Sequence, residues 1–258
     1  MICWICKSAE ADTKEHIIKK SDITRAFGKG SYKGGNALVH VKNGKISDIQ
    51  GANSNKIKYE ASLCKACNGA NTQPFDKAYD KFISYIYANE TSILKKRFID
   101  FFDVYGEEFE KGQRNLYKYY AKSFGCRLVD AGEVVPSDIP SLLFKDSFST
   151  GLRINFAVNE DVLTMPNEDR NGFIGKGELT AWLDKADNKK LNEYTWSEHV
   201  SWLFAFFWYN KFPDGCLGST WVSDNQFIYL GSFESLDSEQ HTNFRHDGLD
   251  DSSHHTIA

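Results

Sequence analysis

The sequence predicts an α+β protein, and three observations carry that reading. Two Cys-x-x-Cys pairs bracket a Gly-rich, hairpin-forming stretch near the amino terminus. The middle of the chain places apolar residues at helical spacing, and from about Pro136 onward aromatic and β-branched residues gather in short runs. With 258 residues, 41% hydrophobic and 26% charged, the composition is that of a globular chain long enough to bury a real core. The expected organisation is a metal-stapled unit over 1–88, an α+β accessory unit over 89–236, and a flexible tail over 237–258.

Each element has a local reason. "NALVHVKNGKISDI" alternates apolar and polar residues around Asn43-Gly44, a hairpin signal. "PFDKAYDKFISYIYAN" puts Phe75, Tyr79, Phe82, Ile83 and Ile86 on one helical stripe, with Pro74 suited to a first turn. Further helices are expected over "SILKKRFIDFFDVYG" and over "EFEKGQRNLYKYYAKSFG", the latter ending at its glycine. "RINFAVN", "GFIGKGELTAWL", "SWLFAFFWYN" and "STWVSDNQFIYLGSF" read as strands. Trp202, Phe204, Phe206, Phe207, Trp208 and Tyr209 form a core element, since a base-stacking surface would interleave Lys or Arg. The tail is polar and aperiodic, and its four histidines read as solvated. No internal repeat is present.

No apolar run has the length of a membrane span, and the chain opens almost directly into Cys3 without a signal-like segment. A soluble, cytoplasmic protein with no membrane partner and with reduced thiols is therefore expected. Cys126 and Cys216 stand alone and read as small buried apolar residues. The formal net charge of −4 hides an asymmetry: residues 1–80 hold 13 Lys plus Arg against 8 Asp plus Glu, while the rest hold 18 against 27. The amino-terminal part is thus mildly basic, and phosphate attraction follows local charge.

Reduced Cys-x-x-Cys pairs are metal ligands more often than staples. Cys3, Cys6, Cys64 and Cys67 offer four soft thiolates, which suits a tetrahedral structural zinc; an iron–sulfur cluster or a thiol redox pair are the alternatives. A zinc with four thiolates has no open position, so the cysteines alone imply no activity.

Glu15 and His16 in "EHII", followed after a hairpin by "LCKACN" with Asn68 behind Cys67, make a constellation that resembles the HNH nucleases, the ββα-metal class of endonucleases. The resemblance covers about residues 1–85 and implies a zinc-braced ββα-metal fold, with Glu15 and His16 on the first strand and Asn68 at the helix start. The segments "CNGANTQPFDKAYDKF" and "KYYAKSFGCRL" also look like parts of bacterial HNH-containing proteins. Two features depart from the pattern. Lys19 stands where the family commonly has proline, and the middle Asn has no clear match, with Tyr59 or Glu60 in that region and Asn53, Asn55 or Asp48 as substitutes.

What the resemblance implies is metal-dependent hydrolysis of phosphodiesters, DNA above all, by one Mg²⁺ or Mn²⁺ ion and leaving a 5′ phosphate. His16 would be the general base, because a neutral imidazole accepts a water's proton near neutral pH. Glu15 and Asn68 would supply the hard ion's oxygen ligands. Lys14, Lys19, Lys20 and Arg25, with Lys29 and Lys33, are candidate phosphate contacts. His40 is a rival base that reads better as strand packing, and Asp76 and Asp80, a turn apart on the following helix, read better as solvated surface carboxylates, with Asp76 a lesser candidate ligand of the ion. The acidic second part is a candidate surface for a regulatory protein partner, and bacterial defence is a family-level expectation. The competing readings are an inert zinc-stapled nucleic-acid or protein binding module, and an interaction or toxin-neutralising protein.

Overall fold

Antiparallel pairing joins the two ends of the first sixty-odd residues before any regular helix begins. Ile2 bridges Glu10, Thr13 bridges Leu63 and His16 bridges Lys58. A computed structural model describes residues 1–33, 38–42, 44–144, 149–183, 191–211, 225–236 and 255–257 of the chain. After this pairing come helix α1 (Lys20–Phe27) and a hairpin of β1 (Leu38–Lys42) and β2 (Lys45–Ile49), in register from Leu38 opposite Ile49 to Lys42 opposite Lys45. Of the expected Asn43-Gly44 turn, Asn43 lies outside the described residues and Gly44 has the positive φ (71°) that favours glycine. Helix α1 was not expected: the sequence suggested no helix there, only candidate phosphate contacts at Lys20 and Arg25. It forms around Asp22 and Ile23, both buried.

Helix α2 (Gln73–Ala88) matches its expected stripe, with Phe75, Tyr79, Phe82, Ile83 and Ile86 all buried and Pro74 in the first turn. The single helix expected next is three pieces: α3 (Glu90–Lys96), β3 (Phe98–Asp100) and α4 (Phe101–Tyr105). The break falls at Arg97, whose left-handed φ of 59° ends α3. Its guanidinium grips the Glu160 carboxylate through two nitrogens at 2.7 and 3.3 Å, so tertiary contact overrides the local helical pattern.

Helix α5 (Phe109–Asp130) runs through the expected stop at Gly125. The glycine sits inside the helix because the indole of Trp4 occupies the space a Cβ would need. Every residue from Leu116 to Cys126 is buried, which marks a helix covered on all sides rather than an amphipathic surface helix.

Beyond α6 (Asp138–Phe144), β4 (Leu152–Asn159) is followed by short helices α7 (Glu160–Leu163) and α8 (Asn167–Gly172), then by β5 (Ile174–Lys176) and β6 (Thr180–Leu183). Strands β7 (Leu191–Val200) and β8 (Leu203–Asn210) follow, then β9 (Phe227–Tyr229), β10 (Gly231–Phe233) and β11 (His255–Ile257). The larger sheet has the order β10-β4-β8-β7-β5, with β6 also on β7; β3 pairs β9, and β11 pairs β1 in parallel. Cys216, residues 219–224 of the last predicted strand run, and the tail apart from 255–257 lie outside the described residues. Cys126 is fully buried with a free thiol, as expected. The aromatic run leading into and along β8 is core only in part: Trp202, Phe204, Phe207 and Tyr209 are buried, but Phe206 is exposed and Trp208 half-buried, both on the strand face opposite Phe207 and Tyr209 because alternate residues point to opposite faces of a sheet.

The architecture is thus mixed α+β with α5 at its centre. One side of α5 meets the sheet, where Tyr120 lies edge-on to Phe156 at 5.4 Å and Phe124 stacks on Phe207 at 6.0 Å. Its other side meets α2, where Tyr79 stacks on Tyr119 at 3.9 Å. The buried cluster continues without a gap from Cys3 to Leu230, across the end of α2 at Ala88. No helix among the described residues is long and apolar enough to cross a membrane.

An interior helical Gly→Ala change ordinarily stabilises by roughly 1 kcal/mol. Gly125→Ala is expected to do the reverse, lowering the unfolding free energy by about 1–3 kcal/mol, because the new methyl meets Trp4 in a packed interior. Urea unfolding checks the sign, and an unchanged or higher midpoint would refute this account of the helix's continuation.

Candidate metal centre and the cavity beside it

Two knuckles bring the four cysteines together. In the first, Lys7 N–H donates to Cys3 O at 2.9 Å with Lys7 in the left-handed region, and Cys3 N–H donates to Ala9 O at 2.9 Å. In the second, Asn68 N–H donates to Cys64 O at 2.9 Å and the Thr72 hydroxyl donates to Cys67 O at 2.9 Å. The Thr13–Leu63 pairing and a bond from Trp4 N–H to Ser62 O then dock one knuckle on the other. All four sulfurs fall within 4.8 Å of one another, with Cys6 Sγ 3.9 Å from Cys64 Sγ. Four sulfurs about 2.3 Å from a tetrahedral zinc stand roughly 3.8 Å apart, so the cluster fits an ion of that kind.

The thiols are unequal. The Ser8 hydroxyl, with the backbone N–H groups of Ser8 and Ala9, pulls Cys6 down to about 6. Burial pushes Cys67 up, and the neighbouring Cys64 adds to that. A cation among the sulfurs is what would let all four be thiolates at once.

Glu15 and His16 lie beside this cluster. Their segment is extended but is no regular strand: Tyr59 N–H donates to Glu15 O at 2.9 Å and Ile17 N–H to Ile57 O at 2.8 Å, around an isolated bridge at His16. Both side chains line an open cavity of about 730 Å³, together with Asn68 from the end of the second knuckle, Asp76 from α2 and Lys122 from α5. The amide of Asn68 is anchored by its Nδ2, which donates to Lys14 O at 3.4 Å. Its Oδ1 and the Nε2 of His16 are buried with no hydrogen-bond partner. Two orphaned polar atoms in one cavity indicate that something polar belongs there, because leaving a buried acceptor unpaired costs about 1–3 kcal/mol. Burial pulls His16 below the usual imidazole value; Glu15 opposes this, while Lys58, Lys20 and Lys122 reinforce it. The ring is therefore neutral at pH 7 and able to accept a proton.

Lys14, Lys19, Lys20, Arg25, Lys29 and Lys122 line the cavity against the carboxylates of Glu15 and Asp76 alone, a strong excess of positive charge. The six cations stand differently. Lys14 pairs with exposed Glu60 at 2.8 Å, while Lys20 and Lys29 are exposed. Lys19 is committed inward: its ammonium lies 3.0 Å from Asp76 Oδ1, 3.5 Å from Asp80 Oδ1, and over the rings of Tyr79 and Tyr119. Arg25 donates to Asp22 at 2.8 Å and to Ser84 at 3.2 Å. Lys33 is exposed and does not line the cavity, and His40 is buried on β1 away from it.

Sequence reasoning missed two residues here. Lys122, 3% exposed, sits at the cavity floor with its Nζ 2.7 Å from Glu15 Oε2 and 3.9 Å from Asp76 Oδ2. Burial would lower this ammonium, yet Glu15 and then Asp76 outweigh burial and the net shift is upward. Its only sequence signal is a lysine inside a helical run rich in apolar and aromatic residues, a signal that Lys118 shares. Asp22 is buried under α1, accepts from the Tyr79 hydroxyl at 2.7 Å, and is raised by burial to about 6 against the help of Tyr79 and Arg25.

No protein-family model, no curated protein and no solved structure matches this chain.

Purified protein is expected to carry one metal equivalent per chain. Cys64→Ser or a strong chelator should release it together with cooperative folding, while Cys126→Ser keeps it; metal analysis beside thermal unfolding reads both. Asp22 gives a pH test. Its folded value lies above the ordinary one, so the folded chain keeps a proton that the unfolded chain loses between about pH 4 and 6, and stability falls as pH rises through that window. Relative to Asp22→Asn, the wild type should lose about 2–3 kcal/mol from pH 4 to pH 7 and nothing further above it. A flat difference across that range would refute the assignment.

Proposed function

We propose that this chain is a metal-dependent nuclease of the HNH kind, hydrolysing phosphodiester bonds of nucleic acid, with DNA as the first substrate to test. One observation carries the reading. An unpartnered imidazole nitrogen, an unpartnered amide oxygen and a carboxylate belong to side chains that line one cationic cavity beside a four-thiol cluster.

In this reading the four cysteines hold a structural zinc that keeps the segment bearing His16 next to Asn68, which stands in the turn ahead of α2 and not, as expected, at the helix start. Glu15 and Asn68, with Asp76 opposite, are the oxygen donors that would hold a Mg²⁺ or Mn²⁺ ion, which when bound would neutralise phosphate charge and favour the leaving oxygen. His16, kept neutral by burial, takes the proton from the attacking water at Nε2. Lys20 and Lys29, exposed at the cavity wall, contact phosphates and position the strand without reading its bases. The accessory sheet supports α5 from behind the site, and the acidic second part of the chain is where a regulatory protein would bind.

A second reading has an observation in its favour. Glu15 and Asp76 are already neutralised by Lys122 and Lys19, as they would be in an inert zinc-stapled module that only binds nucleic acid. The two readings differ in turnover. Supercoiled plasmid with Mg²⁺ or Mn²⁺ should be nicked by the wild type, and His16→Ala of equal zinc content and folding should lose about 10²–10⁴-fold in rate while still binding DNA. Binding without cleavage by either protein, on duplex, single-stranded and RNA substrates, would leave the binding module standing instead.

A further inference from the structure

Helix α5 carries adjacent buried polar residues that face different parts of the molecule. Lys122 reaches Glu15 and Asp76, the two carboxylates of the cavity. Ser123 reaches the sheet, donating to Glu198 on β7 and accepting from Lys176 on β5 at 2.7 Å. Lys176 closes the set with a 2.7 Å pair to the same Glu198 oxygen. Successive side chains point about 100° apart on a helix, so fixing Ser123 on the sheet sets the direction in which Lys122 leaves α5.

The floor around the ammonium is tight. A void of about 10 Å³ lined by Glu15, His16, Tyr119, Lys122 and Ser123 has room for one water at most. Two carboxylates facing one cavity repel each other, and no other cation among the described residues bridges this pair. Lys19 holds Asp76 from the far side and does not pair with Glu15. A long ammonium on a rigid, fully covered helix is therefore what determines where Glu15 stands beside His16.

We infer that Lys122 is a positioning residue of the site: aimed by α5, its ammonium holds the Glu15 and Asp76 carboxylates in place next to His16. The inference rests on the reading of Glu15 and His16 as the reacting pair, and it makes the carboxyl-terminal two thirds of the chain part of the site. The amino-terminal unit alone lacks this cation.

The test uses the full chain with its zinc, in five forms: wild type, Lys122→Met, Lys122→Arg, Glu15→Gln and the double variant Lys122→Met with Glu15→Gln. Lys122→Met leaves the partly buried Glu15 carboxylate without its cation and should lower Tm by on the order of 10 °C, and Glu15→Gln in the same chain should restore most of it. In plasmid nicking, Lys122→Met, corrected for folded fraction by zinc content, should lose about 100-fold in kcat with KM for DNA within threefold. Lys122→Arg should recover to within about tenfold of wild type.

Additive Tm effects of the two substitutions would overturn the inference, whatever the nuclease assay shows. So would an unchanged kcat, or a loss confined to KM, which would make Lys122 a DNA contact. If the wild type cleaves nothing while the Tm effects are strongly non-additive, Lys122 does set Glu15 and the nuclease reading is what fails.

Discussion

A lysine ammonium that is 3% exposed has exchanged its water shell for anions, and the Lys122–Glu15 pair is where this chain meets that requirement. Much of the architecture follows from it. The pair joins a residue of the amino-terminal pairing to a helix that begins almost a hundred residues later. Helix α5 must then be covered on both sides, by α2 through the Tyr79–Tyr119 stack and by the sheet through Phe124 and Phe207. With every residue from Leu116 to Cys126 buried, the polar ones must each find a partner, and Ser123 finds Glu198 and Lys176. The network therefore runs from the sheet, through one helix, to the cavity.

The four-thiol cluster supplies the other anchor. The segment of Glu15 and His16 is held by isolated bridges and a few backbone bonds rather than by a full strand ladder, so its position depends on what is tied at each end. The two knuckles tie the end near Asp12, where Lys65 N–H donates to the Asp12 carboxylate at 3.1 Å. Lys19, pairing with Asp76 and lying over two tyrosine rings, ties the other. Between these ties His16 and Asn68 line a cationic cavity and each keeps an unpartnered buried atom, an arrangement with a polar cost that packing alone does not call for.

Several elements were legible in the residue order because their signals are local. The hairpin alternation, the α2 stripe with its proline, the aromatic β8 run and the two cysteine pairs each depend on neighbours within a few positions. Where the reading failed, a distant group decided. Trp4 carries α5 through Gly125 by occupying the place of a side chain, and Glu160 stabilises the left-handed Arg97 that splits the expected helix into α3, β3 and α4. Helix α1 forms around a buried Asp22 whose partner Tyr79 is 57 positions away, beyond the reach of any periodicity.

By itself the sequence determined the α+β class, the four-cysteine grouping, the basic character of the first eighty residues, and Glu15, His16 and Asn68 as candidates, because spacing and side-chain chemistry are written in the chain. Only the tertiary structure decided which charges share the cavity. It turned Lys19 and Arg25 inward onto Asp76 and Asp22, left Lys20 and Lys29 at the surface, and brought Lys122 to Glu15. The physical reason is that a charge's role depends on its burial and on the sign of its neighbours across space, and sequence position encodes neither.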